Sequence, residues 1–577
     1  MTKSILAAEC GSTTTTAVLI EQVDGTYTLR ATGQAPSTYA APWEDITIGV
    51  QEAIRHIEKH IGRPLLAPAG WPITPQNAQQ GVDAFVTISS AGEPLRVVVT
   101  GLIQNISLAS ALGAAAKTYT QVTKVVSLDG TQSQEGRVQA IQEGRPEVIL
   151  LVGGTDGGAE LPVIELAQVI SMTIRLLRDG ELPTVVYAGN TKLRTDMADI
   201  LGPVLPLRSV KNIRPRLDVE DLTEAQLELE QLYLQKKMTK LPGFEKLSNW
   251  SKYSVMPVSQ SFEKLIAYLG QHNDLNVIGL SLGSRSTTIS AQIRGEQPTS
   301  ITRSDAGVGH SLASLLELVP IEKFHRWLPF DLSPEELYNQ LLNKSLHPAT
   351  IPMTDEDLMI EQAVAREALK LVVQSLVKSP NPQWNLMIGT GRLLTGSPQA
   401  AQAALVMIDG IEPCGITSLA LDKNGLVNML GAIAIVEPMA AVKIAAQEAF
   451  LNLGTVVAPA GHGTPGKPAL TVKIALGEDE IEEREVLYGS IELIDLPLGK
   501  KATLEVRPTR HFDVGLGQPG RGAVAEVEGG LLGIIIDARG RPLRLAKDDL
   551  ERQEQLQHWL SGLGISYATS ESDDQQQ

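Results

Sequence analysis

The residues best suited to chemistry lie near the start of the chain, where an acid, a glycine and a run of hydroxyl side chains separate two apolar segments. Glu9 ends the first segment, Gly11 and Ser12 follow, and the threonines Thr13–Thr16 lead into the second. Two β-like segments joined by such a turn predict a β-hairpin. Glycine lets the backbone approach a bound group closely, and N–H groups with hydroxyls can surround an oxyanion. Glu9 could hold a metal ion that bridges phosphates.

The same pattern, without the acid, recurs near the middle of the chain within Val277–Ile293. The aligned pairs are Gly11 with Gly283, Ser12 with Ser284, Thr15 with Thr287 and Thr16 with Thr288. A strand–turn–strand unit repeated this far apart predicts two similar lobes that face each other across a cleft.

Five segments carry a resemblance to a known family. They are Glu9–Thr16, Ile149–Gly158, Val186–Asn190, Ser304–His310 and Leu386–Gly391. Together with the paired hairpins, they resemble the superfamily of actin, sugar kinases and heat-shock chaperone ATPases. Within that superfamily the chain resembles the glutamate mutase component L family, called MutL-type, and the resemblance covers most of the chain.

The resemblance implies an α/β fold with two ribonuclease-H-like, actin-like ATPase lobes around a cleft, and ATP and Mg²⁺ as cofactors. In that superfamily the two hairpins clamp the nucleotide phosphates and a glycine-rich turn contacts the adenosine. The nucleotide-binding residues implied here are Gly11, Ser12, Thr13, Thr14, Thr15, Gly283, Ser284, Ser286, Thr287, Gly389, Thr390 and Gly391.

Family members are associated with adenosylcobalamin-dependent mutases. The resemblance therefore implies a mutase subunit as partner and a chaperone-like, reactivating ATPase as function. The cobalamin-type Asp-x-His-x-x-Gly signature is absent from the chain. Any contact with the cobalamin would therefore pass through the partner.

Asp156 lies in the distinctive loop Gly153–Gly158. An apolar strand before the loop, a helical segment after it and the strand Thr184–Tyr187 predict a βαβ unit of a parallel sheet. Asp156 then lies beyond the carboxyl end of a strand, where α/β proteins bind ligands. Glu9 and Asp156 are thus the candidate catalytic acids, although a helix N-cap explains Asp156 equally well. Asp305 is a candidate metal ligand beside Glu9, with a helix N-terminal acid as the alternative.

The chain departs from the superfamily pattern at several places. That pattern has aspartate where this chain has Glu9 and Ser281, and often a lysine or second acid where it has Thr16 and Thr288. The missing carboxylate at Ser281 argues against fast hydrolysis, but a phosphate cradle depends mostly on backbone donors and hydroxyls, which are retained. Three functions stay open: an ATP-driven accessory protein, a non-hydrolysing scaffold, and a small-molecule kinase that uses Asp156 as its base.

Composition excludes several other classes. The chain has 577 residues, a net charge of -17 and two cysteines, Cys10 and Cys414. So acidic a chain is a poor candidate for binding nucleic acid or an anionic membrane. Two cysteines exclude a disulfide framework and a cysteine-rich metal site. Because neither a secretion signal nor a membrane-length apolar run is present, a cytoplasmic protein is expected.

Changes of pattern along the chain predict its domains. The predicted divisions are a first lobe at 1–270 with an α/β extension at about 120–215, a second lobe at 271–452, a C-terminal β-rich domain at 453–562 and a disordered tail at 563–577. Short alternating strands follow Gly454, so an all-β barrel or sandwich is predicted there. Gly515–Gly520 matches G-x-G-x-x-G but contains Pro519 and leads into a strand, so no dinucleotide site is predicted.

Overall fold

The computed structural model describes residues 2–77, 79–130, 132–176, 181–376, 383–477 and 480–566. The strands are β1 (Ser4–Cys10), β2 (Thr14–Val23), β3 (Thr26–Pro36), β4 (Ala84–Ser89), β5 (Leu95–Gly101), β6 (Thr120–Ser127), β7 (Val148–Leu151), β8 (Thr184–Tyr187), β9 (Leu207–Ser209), β10 (Met256–Pro257), β11 (Val277–Leu282), β12 (Thr287–Gln292), β13 (Thr299–Arg303), β14 (Leu386–Thr390), β15 (Gly415–Asp422), β16 (Phe450–Ala458), β17 (Pro468–Leu476), β18 (Glu480–Leu487), β19 (Ile491–Ile494), β20 (Lys501–Pro508), β21 (Ala523–Glu528) and β22 (Ile534–Asp537). The helices are α1 (Ile46–Ile61), α2 (Ala109–Ala116), α3 (Gln134–Gly144), α4 (Leu161–Leu176), α5 (Arg194–Leu201), α6 (Thr223–Lys236), α7 (Phe244–Asn249), α8 (Val258–Asn273), α9 (Leu312–Leu318), α10 (Ile321–His325), α11 (Pro334–Leu346), α12 (Asp355–Leu376), α13 (Arg392–Thr395), α14 (Ala400–Ile411), α15 (Val427–Val436), α16 (Pro438–Gln447) and α17 (Asp549–Gly562).

Two of the sheets share one topology. The first has the order β10-β4-β1-β2-β3, and the core of the second has the order β15-β14-β11-β12-β13. In both, the first strand of the hairpin pairs antiparallel with the second and parallel with the next strand on its other side. The hairpin registers also match, since Cys10 faces Thr15 and Leu282 faces Thr287 at the turns. The mixed α/β class is therefore confirmed, and the chain contains the same unit twice.

Strand β1 is apolar on both faces because helices cover both sides of its sheet. Leu6 packs in the cluster that contains Ile54 of α1, whereas Ile5 packs in the opposite cluster with Leu430 of α15. Helix α1 begins at the N-cap Asp45, whose carboxylate accepts a hydrogen bond from the backbone N–H of Thr47. Burial on both faces fixes β1, and hence the position of the turn that follows it.

A third sheet lies within the first half of the chain. Its five strands have the order β6-β5-β7-β8-β9, and all its pairs are parallel. The loop Gly153–Gly158 connects β7 to α4, and β8 follows, as the predicted βαβ unit requires. Gly153 and Gly154 have φ of 135° and 70°, conformations that favour glycine.

Of the two alternatives predicted for the C-terminal region, a barrel or a sandwich, the barrel is wrong, because the sheets there do not close. Strands β16, β22 and β19 extend the large sheet of the second lobe beyond β15, and β18-β17-β20-β21 form a separate open sheet. This small sheet buries its apolar face, including Val472 and Leu504, in a cluster with Val457 and Ile536 of the large sheet. Since the large sheet covers that face, the four strands gain burial without closing on themselves.

The predicted disordered tail begins with ordered residues, because Leu563 and Ile565 are buried after α17. Residues 567–577 of that prediction lie outside the described residues. No helix in the described part of the chain has both the length and the apolar character needed to cross a membrane.

Candidate functional site

The two hairpin turns line one cleft between the lobes, with a cavity of about 500 Å³. The first turn follows β1 in the first lobe, and the second turn follows β11 in the second lobe. Strands β14 and β15 end beside these turns. The predicted residues in its lining are Glu9, Gly11, Ser12, Thr13, Thr14, Gly283, Ser284, Ser286, Thr390 and Gly391. The structure therefore brings together residues that are far apart in the sequence.

The two turns close in the same way. The backbone N–H of Gly11 donates to the carbonyl of Thr14 at 3.0 Å, and that of Gly283 donates to the carbonyl of Ser286 at 2.9 Å. A Cβ at Gly11 would lie 2.6 Å from the Thr14 carbonyl oxygen, and one at Gly283 would lie 2.8 Å from that of Ser286. Both turns thus need glycine for their own closure.

The turns also offer hydrogen-bond donors that the protein itself does not use. Within the described residues, the backbone N–H groups of Ser12, Thr13, Ser284 and Arg285 have no intramolecular acceptor. Consecutive free N–H groups in a tight turn form a concave anion site. The cleft therefore carries two such sets of donors, one from each lobe.

Glu9 is the acid of the first hairpin, and it faces Asn428 of α15. The side-chain amide of Asn428 donates to the two carboxylate oxygens of Glu9, at 3.1 and 3.2 Å. Burial raises the pKa of Glu9 to about 7, the Asn428 hydrogen bond opposes the rise, and the negative charge of Asp422 adds to it. Glu9 is thus poised to accept a positive charge in the cleft.

Asp422 and Asn428 are site residues that the sequence interpretation missed. Asp422 ends β15, is 1% exposed, and accepts hydrogen bonds from the Thr390 hydroxyl at 2.8 Å and from the Leu426 N–H at 3.0 Å. Burial raises its pKa, while these hydrogen bonds lower it. Asn428 had a readable signal, since it is a polar residue in the otherwise apolar helix Val427–Val436. Asp422 had none, because an acid before an Asn-Gly turn is common.

Basic side chains complete the lining of the cleft. Arg285 of the second hairpin donates to the Tyr39 hydroxyl at 2.7 Å and forms an ion pair with Glu93 at 2.8 Å, so it connects the second lobe to the first half of the chain. Arg392 and Lys423 also line the cavity, and the charge of Arg392 interacts with Glu361 of the adjoining cavity. Both cations lie where an anionic ligand in the cleft would meet them.

A second cavity of about 640 Å³ adjoins the first and shares Thr13, Leu282, Ser284, Arg392 and Gly396 with it. Its other walls come from the loop between α11 and α12, which includes Ile351 and Met353, and from α13. Apolar side chains such as Ile351 and Met353 line this space together with charged ones such as Lys344 and Glu361, whereas hydroxyl groups are concentrated in the first cavity. The pair of cavities suits a ligand with an anionic end and a second end that is partly apolar.

Three predicted nucleotide-binding residues do not line the cleft. Thr15 and Thr287 are buried beneath the hairpins, and the Thr287 hydroxyl donates to the Ala306 carbonyl at 2.6 Å. Their neighbours Thr14 and Thr288 line the cavity instead, because side chains alternate along a strand. Gly389 is also enclosed, since a Cβ there would lie 2.8 Å from the sulfur of Met407.

Asp156 and Asp305 are not among the residues that line the cleft. Asp156 lies in the loop that follows β7, the central strand of the third sheet, where it accepts hydrogen bonds from the Thr191 N–H and the Asn212 amide, both at 3.0 Å. Burial would raise the pKa of Asp156, but these hydrogen bonds hold it below its usual value. Asp305 forms a two-pronged ion pair with Arg303 at 2.6 and 2.7 Å. Asp156 is therefore not placed to act as the base of a kinase in this cleft. Asp305 is not placed to bind Mg²⁺ there.

The residues in the cleft nevertheless fit a magnesium nucleotide. The described residues contain no cluster of three or more His, Cys, Asp or Glu side chains that could hold a metal ion alone. Mg²⁺ is commonly held by one or two carboxylates together with phosphate oxygens and water. Glu9 and Asp422 supply two carboxylates, and the buried Oδ1 of Asn428 has no partner.

Two α/β units of one topology, with a hydroxyl-lined cleft between them, define a two-lobed protein whose ligand would lie between the lobes. The chain matches the family model described as MutL protein over residues 5–449, and it belongs to that family. A relative, Protein MutL of Clostridium tetanomorphum, is 23% identical over 306 residues, which are 50% of this chain and 64% of the relative. The match thus spans less than two thirds of that relative.

Solved structures give weaker likenesses. A nucleotide-free acetone carboxylase is 12% identical, with 84% of this chain and 81% of that chain covered and a TM-score of 0.32. Component A of (R)-2-hydroxyglutaryl-CoA dehydratase from Acidaminococcus fermentans is 8% identical, with 74% and 96% covered and a TM-score of 0.25. Likenesses at these TM-scores carry no inference about function.

Proposed function

We propose that this protein is a nucleotide-binding accessory protein that holds Mg-ATP between its two hairpin turns. The observation that carries the proposal is that both turns, each closed by the same glycine hydrogen bond, line one cavity. The free N–H groups of Ser12, Thr13, Ser284 and Arg285 would bind phosphate oxygens from two sides. This arrangement agrees with an actin-like ATPase fold, in which two related lobes enclose the nucleotide.

The second cavity would take the nucleoside. Gly391 has a φ of 107°, and a Cβ there would lie 2.2 Å from the Leu282 carbonyl oxygen, so this turn requires glycine. Arg392 follows it directly and borders both cavities. The turn would therefore lie where base and ribose meet the phosphates.

Glu9 and Asp422 would hold the cation, either directly or through water. When bound, Mg²⁺ would neutralise charge on the phosphate oxygens. Asn428 would hold the Glu9 carboxylate in place, and Arg392 and Lys423 would add positive charge at the phosphates. Closure of the lobes on the nucleotide would place groups from both lobes around it.

We further propose that the protein is a reactivating or assembly factor for an adenosylcobalamin-dependent mutase. Membership of the MutL family supports a partner of that kind. Nucleotide-driven opening and closing of the lobes would then be coupled to exchange of a damaged cofactor on the mutase subunit. The C-terminal small sheet has two open edges, β18 and β21, and is a candidate contact surface for the partner.

Isothermal titration calorimetry with Mg-ATP tests the nucleotide proposal. We expect one binding site per chain, and binding should be lost in Gly283→Val, whose side chain would meet the backbone of the turn. Absence of binding and of thermal stabilisation at high Mg-ATP would refute the proposal. The mutase proposal has its own test, which is co-purification with a mutase subunit and nucleotide-dependent recovery of an inactivated mutase.

A non-hydrolysing scaffold is the second candidate, and the second hairpin favours it. Ser281 carries no carboxylate, and the Thr288 hydroxyl is hydrogen-bonded to that of Thr302 at 2.9 Å. Release of phosphate by the purified protein decides between the two candidates. Turnover that disappears in Glu9→Ala would exclude the scaffold, whereas tight binding without turnover would support it.

A further inference from the structure

Asn428 has an unusual environment for a helical residue. It is the second residue of α15, follows the second-lobe strand β15, and is 8% exposed. Its amide nitrogen donates to both oxygens of Glu9, which belongs to the first lobe. A single side chain therefore connects the acid of the first hairpin to the second half of the site.

The other polar atom of Asn428 has no partner. Its Oδ1 is buried and makes no hydrogen bond within the described residues. The remaining buried side-chain atoms without a partner belong to residues outside the lining of the cleft, whereas Asn428 lines it. Because an unpaired buried polar atom is unfavourable, each one calls for an explanation. A donor on a bound ligand would satisfy this one.

The identity of that donor follows from the neighbours. Glu9 and Asp422 are the carboxyl groups of this part of the cleft, and carboxyl groups bind a cation in their charged form and repel an anion. An amide oxygen cannot accept from a bare phosphate oxygen, but it accepts readily from a water molecule bound to a metal ion. The hydration shell of a divalent cation supplies such a water, since Mg²⁺ keeps several of its waters in proteins.

We propose that Asn428 is a positioning residue for the cation of the nucleotide complex: its Nδ2 orients the Glu9 carboxylate, and its Oδ1 accepts a hydrogen bond from a cation-bound water. The inference rests on the proposed nucleotide function and adds the residue that makes binding depend on the cation. Residues that orient metal ligands in this way commonly change metal affinity about 10- to 100-fold when they are replaced.

The test compares two affinities for ATP, one without divalent cation and one with Mg²⁺, measured by calorimetry on the full chain. In Asn428→Leu, which is close in size and lacks both polar atoms, we expect the Mg²⁺-dependent gain in affinity to fall at least about tenfold. Affinity for ATP without the cation should change much less. A merely structural role would weaken both affinities equally.

Asn212 provides a matched control outside the cleft. It is 3% exposed, and its amide donates to the carboxylate of Asp156 at 3.0 Å, while its Oδ1 accepts from the Arg214 N–H at 2.9 Å. Asn212→Leu therefore removes an equivalent carboxylate contact from a satisfied side chain. We expect it to leave the Mg²⁺-dependent gain intact.

A second variant keeps the proposal testable if Asn428→Leu does not fold. Asn428→Asp retains an acceptor oxygen at the position of Oδ1 but places a second carboxylate beside Glu9. The two carboxylates repel each other, and a bound cation reduces that repulsion. We expect its Mg²⁺-dependent gain to exceed that of the wild type. An unchanged or smaller gain in Asn428→Asp, a full gain in Asn428→Leu, or equal loss of both affinities would overturn the inference. Nucleotide binding by the wild-type protein is measured before any variant. If the wild type binds no nucleotide, the proposed function is refuted instead.

Discussion

Replacing Glu9 by glutamine should stabilise the ligand-free protein at alkaline pH and should have little effect in acid. Burial and the charge of Asp422 raise the pKa of Glu9 to about 7 in the folded protein, against 4.5 for an unperturbed glutamate. Below pH 4.5 the Glu9 carboxyl is protonated in both the folded and unfolded states. As pH rises from the lower value to the higher, only the unfolded state loses the proton, so folding stability falls.

The size of the effect follows from the pKa difference. Each pKa unit corresponds to about 1.4 kcal/mol, so the shift from 4.5 to about 7 amounts to at most about 3.5 kcal/mol above the folded pKa. The partial exposure of Glu9 reduces this value, because solvent stabilises the carboxylate. Glutamine keeps the oxygen that accepts from Asn428 and carries no charge, so Glu9→Gln should recover most of the loss.

Thermal unfolding midpoints of wild type and Glu9→Gln, measured without nucleotide from acid to about pH 8, provide the assay. Asp45→Asn is a control in which the effect on stability should depend on pH in the opposite direction. Burial would raise the pKa of Asp45, but hydrogen bonds from Lys246 and Thr47 lower it. The control should therefore be destabilised at neutral pH and recover in acid. A Glu9→Gln variant that is destabilised at alkaline pH, or that differs from wild type equally at every pH, would refute the reasoning.

Four other substitutions test separate parts of the structure. Gly283→Ala should weaken Mg-ATP binding measured by calorimetry at least about tenfold, because the new Cβ displaces a phosphate-binding turn, whereas Gly136→Ala on a surface helix should leave binding unchanged. Tyr39→Phe removes the hydroxyl that Arg285 contacts, and chemical denaturation should show a loss of about 1 to 2 kcal/mol. Arg539→Met removes the buried guanidinium that pairs with both Asp537 and Asp409, leaving each of them one arginine partner, and the same assay should show a loss of about 1.5 to 3 kcal/mol. Cys414→Ser should not alter nucleotide affinity, since Cys414 is buried away from the cleft; altered affinity would contradict that placement.

Local pattern was sufficient to find the two hairpins. A glycine followed by hydroxyls between apolar segments has few structural interpretations, and its repetition predicted the two-lobed arrangement. The pattern could not distinguish inward from outward side chains at the turns. Thr15 was therefore included with Thr14, although strand alternation buries it beneath the hairpin.

Contacts between distant parts of the chain could not be read in the same way. Asp422 enters the cleft because β15 pairs beside β14, and Asp156 stays outside it because its strand belongs to a third sheet. The C-terminal strands likewise alternate apolar and polar residues, as the strands of a barrel do. However, β16 pairs with β15, and β22 pairs with β16, so both strands belong to the large sheet. Each of these outcomes depends on which strands pair, and alternation alone does not specify pairing.

Two related lobes are proposed to hold a triphosphate between matching turns. A crystal structure with Mg²⁺ and a non-hydrolysable ATP analogue tests this claim most directly. We expect the phosphate oxygens to accept hydrogen bonds from the N–H groups of Ser12 and Thr13 on one side and of Ser284 and Arg285 on the other. Phosphates bound elsewhere, or held by one turn while the other remains in solvent, would contradict the claim.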